Sequence, residues 1–442
     1  MKIKLSDHFT YRSLLRFTLP SIAMMIFTSI YGVVDGYFVS NFVGKTSFAA
    51  VNFIMPFLMI LGAIGFMFGT GGSALVSKTM GEGNKERANR DFSLFVYFSA
   101  VTGILIAIIG IIFIVPIAAM LGAEGTMLTD SVTYGRVILM ALPTYILQME
   151  FQSFFVTAEK PQLGLAVTLI SGLTNMVLDA LFVAVFNFGL TGAAAATALS
   201  QAVGGIISFL YFLRPNTSIL RLTKTGFNGR SLLKACTNGS SEFMSNVSIS
   251  LVSMLYNIQL LKYAGENGVA AYGVLMYVSM IFSAAFIGYS IGTAPVIGFN
   301  YGAGNDKELK GLLRKSIHII LIFSVCMLIF AECLAMPLSK LFVGYDAELM
   351  SLTCRGFRIY SFAFLFMGFA IFSSGFFTAL NDGLTSAVIS FLRTLVFQVI
   401  AVILIPLVLD IDGIWLSIVI AEMMAVVVSA VFLAVKQKKF HY

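Results

Sequence analysis

Seven ionisable side chains of this 442-residue sequence lie inside long apolar stretches: Asp35, Glu150, Asp179, Glu242, Glu332, Arg393 and Glu422. A charge among apolar residues is costly, so these are the positions where chemistry is expected. Tyr31 and Asp35 are four residues apart, as are Asn175 and Asp179, which puts each pair on one helix face. At about 1.5 Å per residue, Asp35 lies ~13 Å below Gly44, Asp179 ~12 Å below Asn187, and Thr197 ~12 Å below Gly189. Asp35, Asp179 and Thr197 therefore share one depth in the outer half of the chain's first six apolar segments, with Asn175 and Tyr31 one turn deeper. Two carboxylates close together in a low dielectric cannot both stay ionised comfortably. One gains a proton, or the pair shares a cation such as Na⁺. A polar network that only joins the helices is the plainer alternative, but two acids are more than joining requires.

A second group lies in the later segments. Glu242 sits ~12 Å from Lys234 and Arg393 ~16 Å from Asp382, depths at which the two could pair or contact a cargo. Glu422, near mid-membrane, is a further candidate for the same cavity, and the alternatives are a structural ion pair or snorkelling of Arg393. Glu150 and Glu332 receive no role. Pro20 removes one backbone hydrogen bond from the first helix and marks a bend, fixed or mobile. The 42 Phe, 16 Tyr and 22 Met supply material for a soft aromatic cavity, suited with carboxylates to organic cations.

No enzyme is expected. The three His, at 8, 318 and 441, are scattered, and there is no phosphate loop, zinc helix or nucleophile elbow. No cofactor is implied. The four Cys, at 236, 326, 333 and 354, lack metal-ligand spacing and read as small hydrophobes.

The elements that must position these residues are membrane spans. The chain is 58% hydrophobic and 11% charged, with a mean hydropathy of +0.93, whereas soluble domains carry roughly a quarter charged residues. Apolar runs predict helices near 14–40, 47–80, 91–118, 132–156, 161–186, 190–213, 237–262, 268–300, 312–336, 352–378, 384–409 and 413–435. The first is read as a retained span, not a cleaved leader. Of the 28 Lys and Arg, 21 fall on the face of the termini, six on the other, Lys45 among them, and Arg393 within a span. The positive-inside rule then puts both termini in the cytoplasm of a multi-pass cell membrane protein, plasma or bacterial inner. The net charge of +7 is spread over loops, so nucleic acid is not an expected partner.

Adding 221, half the chain length, to a position often returns a similar residue. Gly81-Glu82-Gly83-Asn84 falls on Gly302-Ala303-Gly304-Asn305, and Phe151, Ser153, Phe155, Thr157 and Ala158 fall on Phe372, Ser374, Phe376, Thr378 and Ala379. The expected fold is all-α: twelve transmembrane helices in two six-helix bundles related by a pseudo-two-fold along the membrane normal. The bundles are assigned to residues 1–213 and 237–442, with a cytoplasmic linker at 214–236 and the natural cavity between them.

Three stretches together resemble the multidrug and toxic compound extrusion (MATE) family of secondary transporters over essentially the whole chain. They are Tyr31-Gly-Val-Val-Asp35-Gly-Tyr-Phe-Val39, the Gly-x-Gly-Asn turns at 81 and 302, and Asn175-Met-Val-Leu-Asp179 followed by Gly192-Ala-Ala-Ala-Ala-Thr197. The resemblance implies that Asp35, Asn175, Asp179 and Thr197 bind the coupling proton or sodium ion while the two bundles rock to expose the cavity alternately. The family branch with a coupling acid in helix 10 is not matched, since residues 352–378 hold no Asp or Glu. The expected activity is cation-coupled antiport, driven by H⁺ or Na⁺, that exports small amphipathic compounds, cationic by preference, from a monomer in the lipid bilayer. The rivals are a flippase for lipid-linked cargo and, in another class, a passive channel or membrane receptor.

Overall fold

The computed structural model describes residues 3–442, apart from the side chains of Ser40, Asn41, Lys45, Thr46, Phe48 and Ala49. The Lys45 charge counted above therefore lies outside the described residues. Nine helices among the described residues are long and apolar enough to cross a membrane, and a tenth crossing is the pair Ala347–Ser361 and Phe364–Ala379, bent by 49°. Two more follow from geometry. The helical run Gly229–Gly302 breaks at Gly265 (φ 60, ψ −152), and the ring of Tyr256 before the break stacks on Tyr272 after it, 5.3 Å apart, so the chain has doubled back. Helix Gly125–Thr157 has 33 residues, about 50 Å, ample for a crossing though Asp130, Arg136, Gln148, Glu150 and Gln152 dilute its apolar character.

We label the twelve crossings in chain order. The first copy comprises α1 (Tyr11–Phe38), α2 (Lys45–Gly81), α3 (Lys85–Leu121), α4 (Gly125–Thr157), α5 (Pro161–Asp179) and α6 (Gly189–Leu213). The second comprises α7 (229–264), α8 (266–302), α9 (Asp306–Val343), α10 (347–379), α11 (Gly383–Leu404, continuing to a break at Asp410) and α12 (411–440). Helix α1 runs unbroken through Pro20. Helix α7 begins well before the predicted 237, because Asn228 caps it by accepting from the Ser231 amide at 3.3 Å. Three π-helical turns interrupt the α-pattern: Val39–Val43 after α1, Ala180–Val185 after α5, and Leu392–Val396 within α11. They fall beside Asp35, beside Asp179 and around Arg393. Such turns release backbone groups and recur at functional positions.

The duplication is visible in three dimensions. Positions 221 apart adopt matching turns: Gly44 (φ 120) with Gly265 (φ 60), and Gly83 (φ 83) with Gly304 (φ 65). Asn84 accepts from the Arg87 amide at 3.0 Å and its counterpart Asn305 from the Glu308 amide at 3.2 Å. The outward stripe Val101, Ile104, Ile108 and Ile109 of α3 returns on α9 as Ile322, Val325, Ile329 and Phe330. Cys326 and Cys333 are exposed beside that stripe, consistent with small hydrophobes facing lipid.

One face of the molecule, which we call the basic face, carries the 82–84 and 303–305 turns and the 214–228 connection. Here the two bundles meet at glycines, and one pair of contacts, Gly81 with Phe299 and Gly302 with Lys78, swaps under the 221-residue shift. A Cβ added at Gly71 would lie 2.1 Å from the carbonyl O of Ala235, and one at Gly239 would lie 1.9 Å from that of Met67. Gly81 meets the Phe299 carbonyl in the same way, and Gly302 that of Lys78, each at 2.0 Å. Asn381 donates to the Ala74 carbonyl at 3.0 Å. The segment before α1 straps the two bundles together: the Leu5 amide donates to Glu159 at 2.8 Å, the Phe9 amide to Glu308 at 2.9 Å, and His8 Nδ1 meets Glu308 at 2.6 Å.

One apolar core spans both bundles on this face, whereas the opposite halves hold separate cores. One joins Val39, Ile54, Ile114, Leu139 and Val183 of the first bundle, and the other joins Val252, Tyr272, Ala331, Phe357 and Trp415 of the second. The bundles are thus joined by one core at the basic face and hold separate cores towards the other, which we call the parted side.

Outside the spans, Asp382 accepts from Thr385 at 2.9 Å and from Lys436 at 3.1 Å, tying α11 to the end of α12. Burial pushes the Asp382 carboxyl up, but these hydrogen bonds and the charges of Lys436 and Lys439 outweigh it and hold the group below the usual carboxylate range. A depressed folded value contributes stability above the unfolded value, near pH 4, which is lost as pH falls through the folded one. Asp382→Asn is therefore expected to lower the unfolding midpoint in detergent at neutral pH. The difference from the parent protein should shrink on acidification below about pH 4, and a constant difference at all pH values would refute it.

Candidate functional site

Asp35, Asn175, Asp179 and Thr197 come together inside the first bundle. Helix α5 approaches α1 closely because Gly172 has no side chain: a Cβ there would lie 2.5 Å from the Phe27 ring and 2.9 Å from the Tyr31 ring. Thr197 Oγ1 of α6 donates to Asp35 Oδ1 at 3.2 Å, and Asn175 Nδ2 donates to Thr197 Oγ1 at 3.4 Å. The Asp179 carboxyl faces that of Asp35, near enough for a single proton to bridge them. Asp179 is 0% exposed and Asn175 2%. Both Asp179 oxygens and Asn175 Oδ1 are buried with no hydrogen-bond donor. Tyr31 places its ring against α5 and its hydroxyl in range of Asp35 and Tyr145.

One member of this cluster escaped sequence reasoning. Tyr134 of α4 is fully buried, with its hydroxyl beside Thr197 and in range of both carboxyls. The signal was present: Tyr134 lies nine residues below Gly125, the start of α4, which is ~14 Å and so matches the depth of Asp35.

Three acceptor oxygens without donors, beside a carboxyl already held by Thr197, form a set of hard oxygen ligands. Desolvated acceptors left unpaired cost roughly 1–3 kcal/mol each. A proton between the carboxyls or a cation among the oxygens removes that cost.

In the second bundle, Arg393 pairs with Glu422 rather than with Glu242: its Nε donates to the two Glu422 oxygens at 3.1 and 2.9 Å. Glu242 lies in range of the Arg393 charge without a hydrogen bond to it. The position 221 residues on from Asp35 is Tyr256, whose hydroxyl donates to Gln398 at 2.8 Å. Glu150 is fully buried beside Ser99, and Ser361 donates to Glu332.

A duplicated helical membrane protein with separate cores on one side and paired buried carboxyls inside its first bundle has the plan of a transporter. A family model described as MatE matches the chain twice, over residues 20–181 and 243–404, once per copy. The chain belongs to the MatE family. It is 26% identical over 319 residues to the multidrug export protein MepA of Staphylococcus haemolyticus (strain JCSC1435), covering 72% of this chain and 70% of that protein. To MepA of Staphylococcus aureus (strain MRSA252) it is 24% identical over 322 residues, covering 72% and 70%.

Among solved structures, the fold superposes on a MATE in complex with MaL6 with a TM-score of 0.93, 23% identity and 97% of each chain covered. A multidrug resistance MATE transporter of the MOP superfamily in an outward-facing conformation gives 0.92 at 24% identity, covering 97% and 96%. A MOP superfamily transporter from Pyrococcus furiosus Vc1 (DSM3638), whose binding pocket is described as of reverse polarity suggesting a different function, gives 0.90 at 23% identity, covering 98% and 97%. Pocket polarity thus varies on this fold, and it must be read from this chain's own residues.

Proposed function

We propose that the protein is a cation-coupled antiporter, driven by H⁺ or Na⁺, that exports amphipathic organic compounds, chiefly cations, by alternating access. The observation that carries this reading is the cluster of donor-less buried oxygens of Asp179 and Asn175 beside the Asp35 carboxyl. An ion entering from the parted side loads these oxygens and favours the bundle arrangement that cannot hold cargo, since only differential affinity moves such an equilibrium. The excess of intramembrane acids over the one basic group, Arg393, supports cationic cargo. A lipid-phosphate cargo needs net positive charge in the cavity, whereas the charge of Arg393 is neutralised by Glu422.

The distribution of Lys and Arg supports a cell-membrane protein whose basic face, with both termini, is cytoplasmic. On that reading the parted side is the outside, residues 1–213 and 229–442 form the bundles, 214–228 is the linker in place of the 214–236 expected from the sequence, and one chain suffices for the cycle.

Proteoliposomes loaded with an amphipathic cation and given a proton or a sodium gradient separately test the reading. Efflux that follows one gradient supports it, and efflux indifferent to both overturns it in favour of a channel. Thr197→Val, which removes the hydrogen bond to Asp35, is expected to shift the ion concentration for half-maximal transport about tenfold, downward for a proton because the lost donor favoured the ionised carboxyl, and upward for sodium because an oxygen ligand is lost. Unchanged ion dependence would remove Thr197 from the site.

A further inference from the structure

Below the carboxyl pair, the interior of the first bundle stays polar. From Asp179 towards the basic face, α5 carries Asn175, Ser171, Thr168 and Gly164 on one face at helical spacing. On α6, which runs the opposite way, Gln201, Gly204 and Ser208 follow Thr197 on one face, and on α4 Gln148 and Gln152 follow Tyr145. The three faces meet. Gln148 Nε2 donates to Ser171 Oγ at 3.1 Å, Ser171 Oγ donates to the Ser200 carbonyl at 2.7 Å, and a Cβ on Gly204 would lie 2.7 Å from the Gln148 side chain.

Packing alone does not account for these side chains. Gln148 and Gln152 are buried, yet Oε1 of Gln148, both amide atoms of Gln152 and Oε1 of Gln201 have no hydrogen-bond partner among the described residues. A network that only staples helices pairs its polar atoms, because a buried one left unpaired is costly. With Asn175 Oδ1, these atoms form a line of acceptors leading inward from Asp179. Thr168, beside that line, is already ~16 Å from Asp179 along α5 at ~1.5 Å per residue. Glu150, two residues from Gln148, is on the opposite side of α4 beside Ser99 of α3, outside the line.

The line ends at rings. Phe155, on the same face of α4 as Gln148 and Gln152, lies 5.1 Å from the Phe212 ring and 5.9 Å from the Tyr211 ring of α6. Phe151 stacks on Phe212 at 5.3 Å, and a Cβ on Gly164 would meet Phe155 at 3.0 Å. These rings stand between the acceptors and the basic face.

An ion that loads the carboxyl pair from one side drives export only if it leaves on the other. We propose that the coupling ion is released to the basic face through the interior of the first bundle, along Asn175, Ser171, Gln148 and Gln152, and that the rings of Phe151, Phe155 and Phe212 close this route in the present arrangement. This rests on the antiport reading above and names the ion's exit within it. Hydroxyls and amides serve either ion, since they relay a proton through hydrogen bonds and offer sodium oxygen ligands. The Gln148–Ser171–Ser200 hydrogen bonds tie α4, α5 and α6 together across the line, so the ion passes as they exchange partners. The ring plug keeps the inner end shut while the ion enters from the parted side, without which the gradient would drain with no cargo moved.

That leak is the test. Liposomes holding the purified full chain and no cargo are given a proton gradient or, separately, a sodium gradient, with the voltage clamped by potassium and valinomycin. Internal pyranine reads protons, and an internal sodium-sensitive dye reads sodium. Phe155→Ala removes the ring contacts to Phe212 and Tyr211 and should raise the leak of the coupling ion about tenfold over the parent protein. Phe155→Leu keeps more of the packing and should raise it by less. Adding Asp179→Asn or Gln148→Met to Phe155→Ala should return the leak to the parent level. Gln148→Met alone keeps the length of the side chain without its amide. It should lower the maximal rate of gradient-driven efflux about tenfold without raising the ion concentration for half-maximal transport, the mark of a step after binding.

A Phe155→Ala protein that elutes as a single species on size exclusion and leaks no faster than the parent overturns the proposal; if that variant does not fold, Phe155→Leu gives the same reading. A leak that persists after Asp179→Asn or Gln148→Met is added overturns it too, because the ion then bypasses the line. Efflux of an amphipathic cation by the parent protein is measured on the same liposomes. Indifference to both gradients refutes the antiport reading, whereas a leak that requires Asp179 leaves the release route standing.

Discussion

Asn at either Asp35 or Asp179 is expected to cut ion-driven efflux about 5- to 150-fold, the span of coupling free energies of ~1–3 kcal/mol, while the protein still folds. Asn keeps the volume and can donate a hydrogen bond, but it carries no ionisable proton and has one oxygen where Asp has two. At Asp179 the change touches acceptors that have no donor in the structure, so no existing bond is lost. At Asp35 the Thr197 hydroxyl can still donate to the amide oxygen. Each variant therefore removes the capacity to load an ion without opening a cavity. The measurement is efflux from proteoliposomes under an imposed gradient, beside binding of the same amphipathic cation in micelles without one. Efflux at the parent rate in both variants would dismiss the carboxyl pair as the coupling element. Loss of binding together with efflux would mean that the fold had been damaged instead.

A second large effect is expected at the closed face. The Cβ introduced by Gly239→Val would lie 1.9 Å from a backbone oxygen of Met67, an atom that no rotamer change can move. Overpacking of this kind costs about 1–3 kcal/mol, and 1.4 kcal/mol is tenfold in an equilibrium constant. The closed arrangement should lose ground to the alternative by that factor. Cys236, half-buried beside the junction, is a native reporter once Cys326, Cys333 and Cys354 are replaced by Ala. Its labelling by a maleimide is expected to accelerate at least fivefold in Gly239→Val, from the lower end of that cost. Gly273→Val, at a glycine with open space around it, controls for the change in helix propensity. Equal labelling of Cys236 in both variants would show that the junction does not open.

The twelve crossings were readable because lipid demands long apolar runs, and the duplication because turn residues such as Gly83 and Gly304 must recur where the backbone does. Helix ends were less readable. Helix α7 starts on an Asn228 cap in a polar stretch that hydropathy cannot weigh, and the 49° bend in α10 follows no proline or glycine. The N-terminal carboxyl cluster could be inferred because its members share a depth and come from well-defined spans. Tyr134 was missed because tyrosine is common here and carries no charge to draw attention. Arg393 was matched to Glu242 by depth alone, but depth says nothing of azimuth, and the π-helical turn at 392–396 rotates the side chain away from where a regular helix would place it. Glu422 on the neighbouring helix receives it instead.

The replacement of Asp35 by Tyr256 in the second copy bears on how the cycle is energised. A phenol stays uncharged at physiological pH, so the position equivalent to Asp35 in the second copy cannot be loaded as Asp35 can. With one proton or sodium ion admitted for each singly charged cargo expelled, no net charge crosses the bilayer. Export of such a cargo would then follow the chemical gradient of the driving ion and ignore the membrane voltage, whereas a cargo with no net charge of its own would make the same exchange sensitive to voltage at about 2.3 kcal/mol per 100 mV.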